Sequence, residues 1–448
     1  MLKSLNILIQ ASLLMGSLAI VAPAQDRNYV VQLKGDADAG TVAAAHAMTV
    51  LRSLGGSGTG IHVMSAPAGQ QDWQVLQGLA TDPNVQAAET DGPVALPGIN
   101  AAAPLHPASA SPPALPIDGT MSQYYTGRAA AGYVTQPAAS RINVAAAHQV
   151  ALGSGATVAV LDTGVDFSQP VLMNSLVPGW DFVNSLSGGQ EVADTNQETT
   201  PILDQETTPI LDGGTAIILA QETTPILDQE TTPILDGTKY PAYGHGTMVA
   251  GLVHLVAPKA LLMPVRVFAA DGTATISQIV AGIHWAVDNG VQVINMSFST
   301  LTPSNALAAA IDYAEDKGVV CVASAGNDGQ AEAVFPGAYS SVIDVASTDN
   351  QGVRSLFSNF GSQIALAAPG EGVVTTYPGN HYAMVWGTSF SAPLVAGGAA
   401  LLVGLRDEVS LDGVSDALGQ AVNIGQELGA GELDLLRAVN YLSKRGQD

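Results

Sequence analysis

The sequence predicts a three-layer α/β protein, in which a mostly parallel sheet is covered by helices on both faces, preceded by a small α+β unit. From Met121 onward, short apolar strands alternate with helical stripes, which is typical of parallel strands joined by helices. The strand at residues 156–161 is a continuous apolar run, as expected when both faces of a sheet are buried. The chain has 448 residues, of which 47% are hydrophobic and 12% charged, and this is enough for a large core and an accessory unit.

The charge balance is strongly acidic. Lys and Arg number 15 against 39 Asp and Glu, which gives a formal net charge of -24. Nucleic acids and anionic lipid surfaces attract basic patches, so we expect neither as a partner. Cys321 is the single cysteine, and this excludes an intramolecular disulfide.

Residues 1–24 predict a signal peptide. Lys3 precedes an apolar run from Leu5 to Val21, and Ala22-Pro23-Ala24 has the A-x-A form of a signal-peptidase site. We therefore expect secretion to an extracellular or periplasmic destination, without stable membrane insertion after cleavage. The alternative is an uncleaved membrane anchor.

Residues 25–96 predict a small α+β module of the ferredoxin-like type. We predict strands at residues 29–33, 61–65, 85–88 and 94–96 and a helix at 72–79. A further helix, ending at Gly55, is predicted by apolar residues at helical spacing, namely Ala43, Ala47, Val50, Leu51 and Leu54. Residues 97–120 are rich in Ala and Pro and predict a linker.

Residues 121–448 predict the main α/β domain. The predicted strands are residues 156–161, 261–267, 291–296 and 319–324, and the predicted helices are residues 244–256, 276–289, 306–317 and 386–405. The first three of these helices each lead into the strand that follows them. This regular alternation is the reason for the parallel sheet.

An octapeptide repeat interrupts the main domain at residues 197–236. QETTPILD occurs in four copies, and the octet GGTAIILA separates the first pair from the second. Each copy carries one Glu, one Asp and one Pro, and Pro cannot donate to a sheet ladder. The repeats therefore predict a duplicated, solvent-exposed loop, because loops tolerate added length. A specific role in gating a cleft, binding a cation or adhering to a surface stays open.

Four residues are candidates for catalysis by acyl transfer. Ser389 opens an apolar helix, where unpaired N–H groups and the helix dipole favour an oxyanion. Asp162 ends a buried strand, His245 begins a helix between two glycines, and Asn327 follows another buried strand. Acyl transfer needs an acid to orient an imidazole, an imidazole to take the serine proton and an amide to hold the oxyanion. Each residue alone is more often structural, but the set indicates a serine hydrolase.

The order Asp, His, Ser along the chain is the order found in subtilisin. Between about Ser140 and Leu402 the chain resembles the successive motifs of the subtilisin-like serine proteases, in the order of that family. These motifs are VAVLDTGVD, GHGTMVAG, INMSFS, ASAGND, VFPGAYSSVIDVAS, LFSNFG, IALAAPG and WGTSFSAPLVAGGAALL. The stretch LGAGELDLLRAV resembles the closing helix region of the same family.

The resemblance implies a subtilisin-like fold and an endopeptidase that hydrolyses proteins or peptides through an acyl-enzyme. It implies Asp162 as the orienting acid, His245 as the general base and Ser389 as the nucleophile, with Asn327 as the oxyanion donor. By its position the module at 25–96 resembles the propeptide of the family, a folding aid and inhibitor, so we expect a secreted zymogen and a monomer. The alternative is a catalytically silent scaffold that binds a surface or partner.

The implied substrate-binding residues depart from the family pattern. They are Ser297, Phe298, Ser299, Thr300, Ser324, Ala325 and Gly326. The family often has a Gly-Gly pair where this chain has Ser299-Thr300, and the added side chains are expected to narrow the cleft. We therefore expect a preference for small P1 side chains or slow turnover.

No cofactor and no metal ligand set is predicted. In the subtilisins proper, calcium is held by an Asp shortly after the triad Asp and by a loop after the His helix. This chain has Val171 at the first place and runs directly through Leu255-Val256-Ala257-Pro258 at the second. Calcium needs several oxygen ligands, so this site is expected to be lost, while the acidic repeats leave a site elsewhere open. His254, His284 and His381 are expected to be structural and hydrogen-bonded.

Overall fold

The structure is a computed structural model that describes residues 27–55, 59–96, 121–125, 127–191, 217–219, 242–405 and 409–444. The predicted signal peptide, the predicted linker and all four QETTPILD copies lie outside the described residues. The helices are Ala39–Ala45 (α1), Asp72–Thr81 (α2), Ala131–Val134 (α3), Pro137–Arg141 (α4), Val144–Ala147 (α5), His245–Val256 (α6), Ile276–Asp288 (α7), Asn305–Asp316 (α8), Thr388–Val403 (α9), Leu411–Leu418 (α10) and Leu435–Lys444 (α11).

The strands follow the same chain order. They are Arg27–Leu33 (β1), Thr49–Leu54 (β2), Ile61–Ala66 (β3), Val85–Thr90 (β4), Pro93–Ala95 (β5), Met121–Tyr124 (β6), Gly127–Ala130 (β7), Thr157–Asp162 (β8), Gly179–Asp181 (β9), Leu186–Gly188 (β10), Ile217–Leu219 (β11), Leu261–Arg266 (β12), Thr273–Thr275 (β13), Val293–Met296 (β14), Val320–Ser324 (β15), Val342–Thr348 (β16), Leu366–Pro369 (β17), Glu371–Tyr377 (β18) and His381–Trp386 (β19).

The main sheet has eight strands in the order β10-β9-β12-β8-β14-β15-β16-β17. All neighbouring strands pair in parallel except the antiparallel pair β10–β9. Helices α6 and α9 pack on one face, and α7 and α8 pack on the other. This arrangement confirms the predicted three-layer α/β fold.

The burial of strand β8 on both faces explains the continuous apolar run in its sequence. Val158 and Val160 point into the core shared with α6 and α9, while Ala159 and Leu161 point into the core shared with α7 and α8. Each of these side chains is at most 1% exposed. Because both faces of the strand are buried, the alternation of a half-exposed strand is absent.

The N-terminal module is a four-stranded antiparallel sheet in the order β2-β3-β1-β4, with α1 and α2 on one face. This is the predicted ferredoxin-like arrangement, but the predicted module strand at residues 94–96 corresponds to β5, which lies outside this sheet and pairs with β13. Tyr29 and Val31 face the helices of the module, whereas Val30 and Val63 join the core formed by α7 and α8. The second face of the module sheet is therefore buried against the main domain.

One predicted helix of the module is wrong over half its length. Helix α1 ends at Ala45, and residues 49–54 form strand β2, which pairs with β3. Ala47 has a φ of +52°, so the helix cannot continue through it. The β-branched pair Thr49-Val50 favours a strand, and Leu51, counted as part of the helical stripe, is 52% exposed.

Two histidines expected to be hydrogen-bonded are not. Both ring nitrogens of His254 and of His284 lack hydrogen-bond partners among the described residues. Burial lowers the pKa of His254 to about 4 and also lowers the pKa of His284. Both rings are therefore neutral at pH 7 and act as aromatic packing groups.

Within the described part of the chain, no helix has the length and apolar character needed to cross a membrane.

Asp344 is a buried acid in the middle of β16. Neither carboxyl oxygen has a hydrogen bond of normal geometry within the described ranges, and the nearby Val345 N–H offers only weak compensation. Burial raises the pKa of Asp344 to about 8. The unfolded chain releases this proton near pH 4, so the free energy of unfolding falls as the pH rises from about 4 to about 8.

Asp344→Asn removes this titration while it keeps the shape of the neutral acid. We expect it to raise the free energy of unfolding by on the order of 2 kcal/mol at pH 8 and to change it little at pH 4. Denaturant unfolding at the two pH values measures this effect, in a chain that also carries Ser389→Ala because Ser389 is the predicted nucleophile. An equal gain at both pH values would show that Asp344 is not titrating in this window.

Candidate active site

Asp162 and His245 form a hydrogen-bonded pair at the carboxyl edge of the main sheet. The Nδ1 atom of His245 lies 2.8 Å from Oδ1 and 2.9 Å from Oδ2 of Asp162. The Thr163 N–H also donates to Oδ1, at 2.7 Å. Asp162 is fully buried and His245 is 4% exposed. The carboxylate accepts from Nδ1, and this orients the ring so that Nε2 can act as the base.

Two glycines allow the start of α6 to approach this pair. Gly244 has a φ of +92°, and the ring of Tyr377 lies 2.5 Å from where its Cβ would be. A Cβ on Gly246 would lie 2.0 Å from the carbonyl oxygen of Gly164. The G-H-G pattern is thus required by the close packing of the helix start on the turn after Asp162.

Ser389 is the second residue of α9 and its side chain is fully buried. Its Oγ donates to the Ser297 carbonyl at 3.2 Å, and the Ser297 Oγ donates to the Ser389 carbonyl at 2.8 Å. Helix α9 packs along α6, and the Phe390 ring centroid lies 5.5 Å from that of His245. The structure therefore places Ser389 on a helix that contacts the histidine.

Asn327 is hydrogen-bonded to Thr388, the residue before Ser389. Its Oδ1 accepts the N–H of Thr388 at 2.9 Å and the Thr388 hydroxyl at 2.8 Å. With Oδ1 used as an acceptor, the amide nitrogen is the end that can donate to a ligand. The structure thus brings Asn327 to the start of α9, where the backbone N–H groups of the first turn have no partner within the helix.

The predicted substrate-binding residues lie on two neighbouring segments at the same edge. Residues 297–300 follow β14. Residues 324–326 are the last residue of β15 and the two residues after it. The N–H and carbonyl of Thr300 pair with Phe335 at 2.8 Å each. Ser297 and Phe298 are fully buried, and Ser299 and Thr300 are partly exposed. Both segments therefore stand next to Ser389 and Asn327.

Asn359 is a site residue that the sequence analysis missed. Its Oδ1 accepts the N–H groups of Asp328 and Gln330 at 3.1 Å each. Its own N–H donates to the Gly326 carbonyl at 3.1 Å. The loop that carries Asn327 is thus held on both sides. The motif LFSNFG contains this residue, but nothing in its spacing points to Asn327.

Glu191 is the second missed residue. It is 1% exposed and accepts hydrogen bonds from Thr163, Gly244 and Thr247, which adjoin the Asp162–His245 pair. Glu191 and Gly244 are 53 positions apart, with the repeats between them, so no local motif connects them. Burial raises its pKa to about 7, against the opposing effect of the hydroxyl donors.

The fold and this set of side chains define a serine hydrolase as the class of protein. A carboxylate–imidazole pair lies at the carboxyl edge of a parallel sheet, where such sheets place their sites. A buried serine lies at the start of a helix packed on the same histidine. These are the groups that nucleophilic catalysis requires.

Comparisons with known proteins identify the family. The sequence profile of the subtilase family matches residues 153–431. Thermitase from Thermoactinomyces vulgaris is 31% identical over 313 residues, which span 67% of this chain and 94% of thermitase. Subtilisin BL from Lederbergia lenta is 41% identical over 168 residues, 36% of this chain and 62% of that protein. The chain belongs to the subtilase family and is a serine endopeptidase that acts on proteins or peptides.

The fold is also that of solved relatives. The crystal structure of fervidolysin from Fervidobacterium pennivorans, a keratinolytic enzyme related to subtilisin, aligns with a TM-score of 0.67 and 20% identity. The alignment covers 93% of this chain and 61% of fervidolysin. A lanthipeptide protease aligns with a TM-score of 0.53 over 68% of this chain and 92% of that one, at 24% identity.

Proposed function

We propose that the chain is a secreted endopeptidase made as a zymogen, with Asp162, His245 and Ser389 as its triad. The observation that carries the proposal is the Asp162–His245 pair beside the helix that begins at Thr388. Residues 1–24 would supply the signal peptide. Proteins or peptides are the substrates, and the segments at 297–300 and 324–326 would bind them in extended form.

The proposed reaction starts with attack by Ser389 Oγ on the carbonyl carbon of the scissile bond. His245 Nε2 takes the hydroxyl proton, and Asp162 stabilises the imidazolium. The Asn327 side-chain amide and the Ser389 N–H stabilise the oxyanion. The carbon–nitrogen bond breaks as His245 gives the proton to the leaving amine. Water, activated by His245, then hydrolyses the ester on Ser389 and restores the enzyme.

A fluorophosphonate probe tests this proposal. After removal of the module, we expect the probe to label the wild-type enzyme and not the Ser389→Ala variant. A fluorophosphonate reacts only with an activated serine, so labelling reports the working nucleophile and its base together. Absence of labelling in a folded, processed wild-type protein would instead support the silent, partner-binding scaffold.

The N-terminal module supports the zymogen part of the proposal through its contacts with α7 and α8. Glu89 accepts from the Ser304 hydroxyl and the Ala306 N–H, at 2.9 Å each, at the start of α8. Asp91 accepts from the Ser277 N–H at 2.9 Å and its hydroxyl at 2.7 Å, at the start of α7. Carboxylates at helix N-termini are stabilised by unpaired N–H groups and by the helix dipole.

Strand β5, which follows the four-stranded sheet of the module, pairs with the main domain. Strand β5 is antiparallel to β13, with Val94 opposite Ala274. Sheet pairing, two capping carboxylates and the buried second face of the module sheet together fix the module on the main domain. We infer that it acts as an inhibitory propeptide until the chain is cut between Leu96 and Tyr124.

The double variant Glu89→Gln/Asp91→Asn is expected to loosen the docked module. Each substitution replaces a charged acceptor by an amide and is expected to cost about 1 kcal/mol of docking free energy. In the Ser389→Ala chain, the combined loss of about 2 kcal/mol should then let limited proteolysis degrade the module about 30-fold faster. Asp38→Asn is the matched control, because Asp38 caps exposed helix α1 and its amide is an equally good cap. Equal rates for the control and the double variant would refute the docking role.

We also propose that the enzyme does not depend on calcium at the place where the subtilisins proper hold it. Val171 is fully buried and packs in the same core as Leu255 and Val256, so this place offers apolar carbon where calcium needs oxygen. Excess chelator is expected to change the melting temperature by no more than about 2 °C. A fall of many degrees, reversed by added calcium, would show that the protein holds the ion elsewhere.

A further inference from the structure

Glu191 lies between the two segments that carry the proposed catalytic pair. Its Oε1 accepts the Thr163 hydroxyl at 2.6 Å and the Gly244 N–H at 2.5 Å, and its Oε2 accepts the Thr247 hydroxyl at 2.6 Å. Thr163 directly follows Asp162, and Gly244 directly precedes His245. The carboxylate therefore joins the turn after β8 to the first turn of α6.

The hydroxyl donors are fixed in their direction. The Thr163 hydroxyl oxygen accepts the Gly246 N–H at 3.0 Å, and the Thr247 hydroxyl oxygen accepts the Asp166 N–H at 2.9 Å. Each threonine hydroxyl thus accepts a hydrogen bond from a backbone N–H and donates its own O–H to Glu191. An ionised carboxylate can accept from all three donors. A proton on either carboxyl oxygen would instead point at one of these donors and would have no acceptor there.

We propose that Glu191 is a positioning residue whose ionised carboxylate holds Asp162 and His245 in register, so that protonation of Glu191 slows the reaction. The inference rests on the proposed function, because it takes Asp162 and His245 as the catalytic pair. The bond to Gly244 spans 53 positions of sequence, so it fixes the chain just before His245 whatever the length of the intervening repeats.

The groups around Glu191 decide which pH range matters. The titratable and charged groups that face it, directly or through its threonine partners, are Asp162, Asp166, Tyr243, His245, Tyr377 and the Arg266–Asp181 ion pair. Burial and the charge of Glu191 raise the pKa of Tyr243 and of Tyr377, so both stay protonated near neutrality. Arg266 donates to the Thr163 carbonyl at 2.9 Å.

The Glu191 carboxyl changes charge near neutrality. Burial is the main cause that raises the pKa of Glu191 to about 7, the hydroxyl donors oppose it, and the charge of Asp162 adds to it. Glu191 must be ionised to accept its three bonds, and the imidazole must be neutral to act as a base. Both requirements fail as the pH falls, so they act on the same, acid limb of the rate profile.

The test is the dependence of kcat/KM on pH between 5 and 9 for the processed enzyme. For the wild type we expect an acid limb steeper than a one-proton curve. Glu191→Gln should follow a one-proton curve with a plateau about tenfold lower, because its amide brings an N–H group to face a donor. Asp344→Asn is the control, because it also removes a buried carboxyl but one that is distant from Asp162 and His245. It should keep the steep acid limb of the wild type.

A second variant probes the same carboxylate without replacing it. Thr247→Val keeps the volume of the side chain and removes one donor, which raises the pKa of Glu191 further and should move the acid limb to higher pH. If Glu191→Gln does not fold, Thr247→Val provides the test. Rates are normalised to the fraction of enzyme labelled by a fluorophosphonate, so that misfolded protein is not counted.

The outcomes separate this inference from the proposed function. A limb of wild-type steepness in Glu191→Gln, or an unmoved limb in Thr247→Val, would overturn the role of Glu191 while the triad stands. Activity retained in Ser389→Ala would overturn the proposed function itself, whatever the profile of the Glu191 variant.

Discussion

Replacing Ser389 by alanine is expected to lower kcat about 10⁶-fold and to change KM for a peptide substrate little. In the proposed mechanism the variant loses the oxygen that forms the acyl-enzyme, while the segments proposed to bind substrate are unchanged. The size of the loss is the one known for subtilisins, so it is carried over from the family. Initial rates on a chromogenic peptide, with enzyme processed by added wild-type protease, measure it.

Ser391→Ala is the matched control for this variant. Ser391 lies two residues further along the same helix, is fully buried, and its Oγ has no hydrogen-bond partner in the part of the chain that the structure describes. We expect its loss to change kcat less than about threefold. An active Ser389→Ala enzyme, or an inactive Ser391→Ala enzyme, would contradict the assignment of Ser389 as the nucleophile.

Asn327→Ala is expected to lower kcat about 10²- to 10³-fold with little effect on KM. The amide would donate to an oxyanion that exists only after Ser389 attacks, so its loss affects the transition state more than substrate binding. This magnitude also comes from the subtilisins. Steady-state rates of the processed variant on the same peptide measure the two parameters separately.

A second variant separates oxyanion binding from support of the helix start. Asn327 also accepts two hydrogen bonds from Thr388, so its loss could act by displacing Ser389. Thr388→Val removes the hydroxyl donor and keeps both the backbone N–H and the Asn327 amide. We expect a loss of less than about tenfold for it. Comparable losses in the two variants would assign Asn327 a purely structural role.

The fold was predictable from the sequence where one local pattern dominates. Strand β8 is apolar at residues 158–161 because both of its faces are buried there, and the apolar residues of α6 and α7 have helical spacing. Residues 43–54 were not predictable in this way. Their apolar spacing fits a helix, but pairing with β3 decides the conformation of residues 49–54, and such pairing is not encoded in helical spacing.

The candidate site divides in the same way. Asp162, His245, Asn327 and Ser389 lie in local sequence patterns, since each lies at the end of a strand, shortly after one, or at the start of a helix. Glu191 and Asn359 act through hydrogen bonds to residues far along the chain, and only the tertiary structure shows them. The ring nitrogens of His254 and His284, which have no hydrogen-bond partner among the described residues, were unpredictable for a related reason, because hydrogen bonding of a buried side chain depends on its neighbours in space.

The central claim is that Asp162, His245 and Ser389 work as one catalytic unit, and a double-mutant cycle tests it most directly. We would measure kcat for His245→Ala, for Ser389→Ala and for the double variant, each processed in the same way. Residues that act as a unit give strongly non-additive losses, so the double variant should be no slower than either single one. Losses that multiply in the double variant, or a single variant with near-normal activity, would contradict the account.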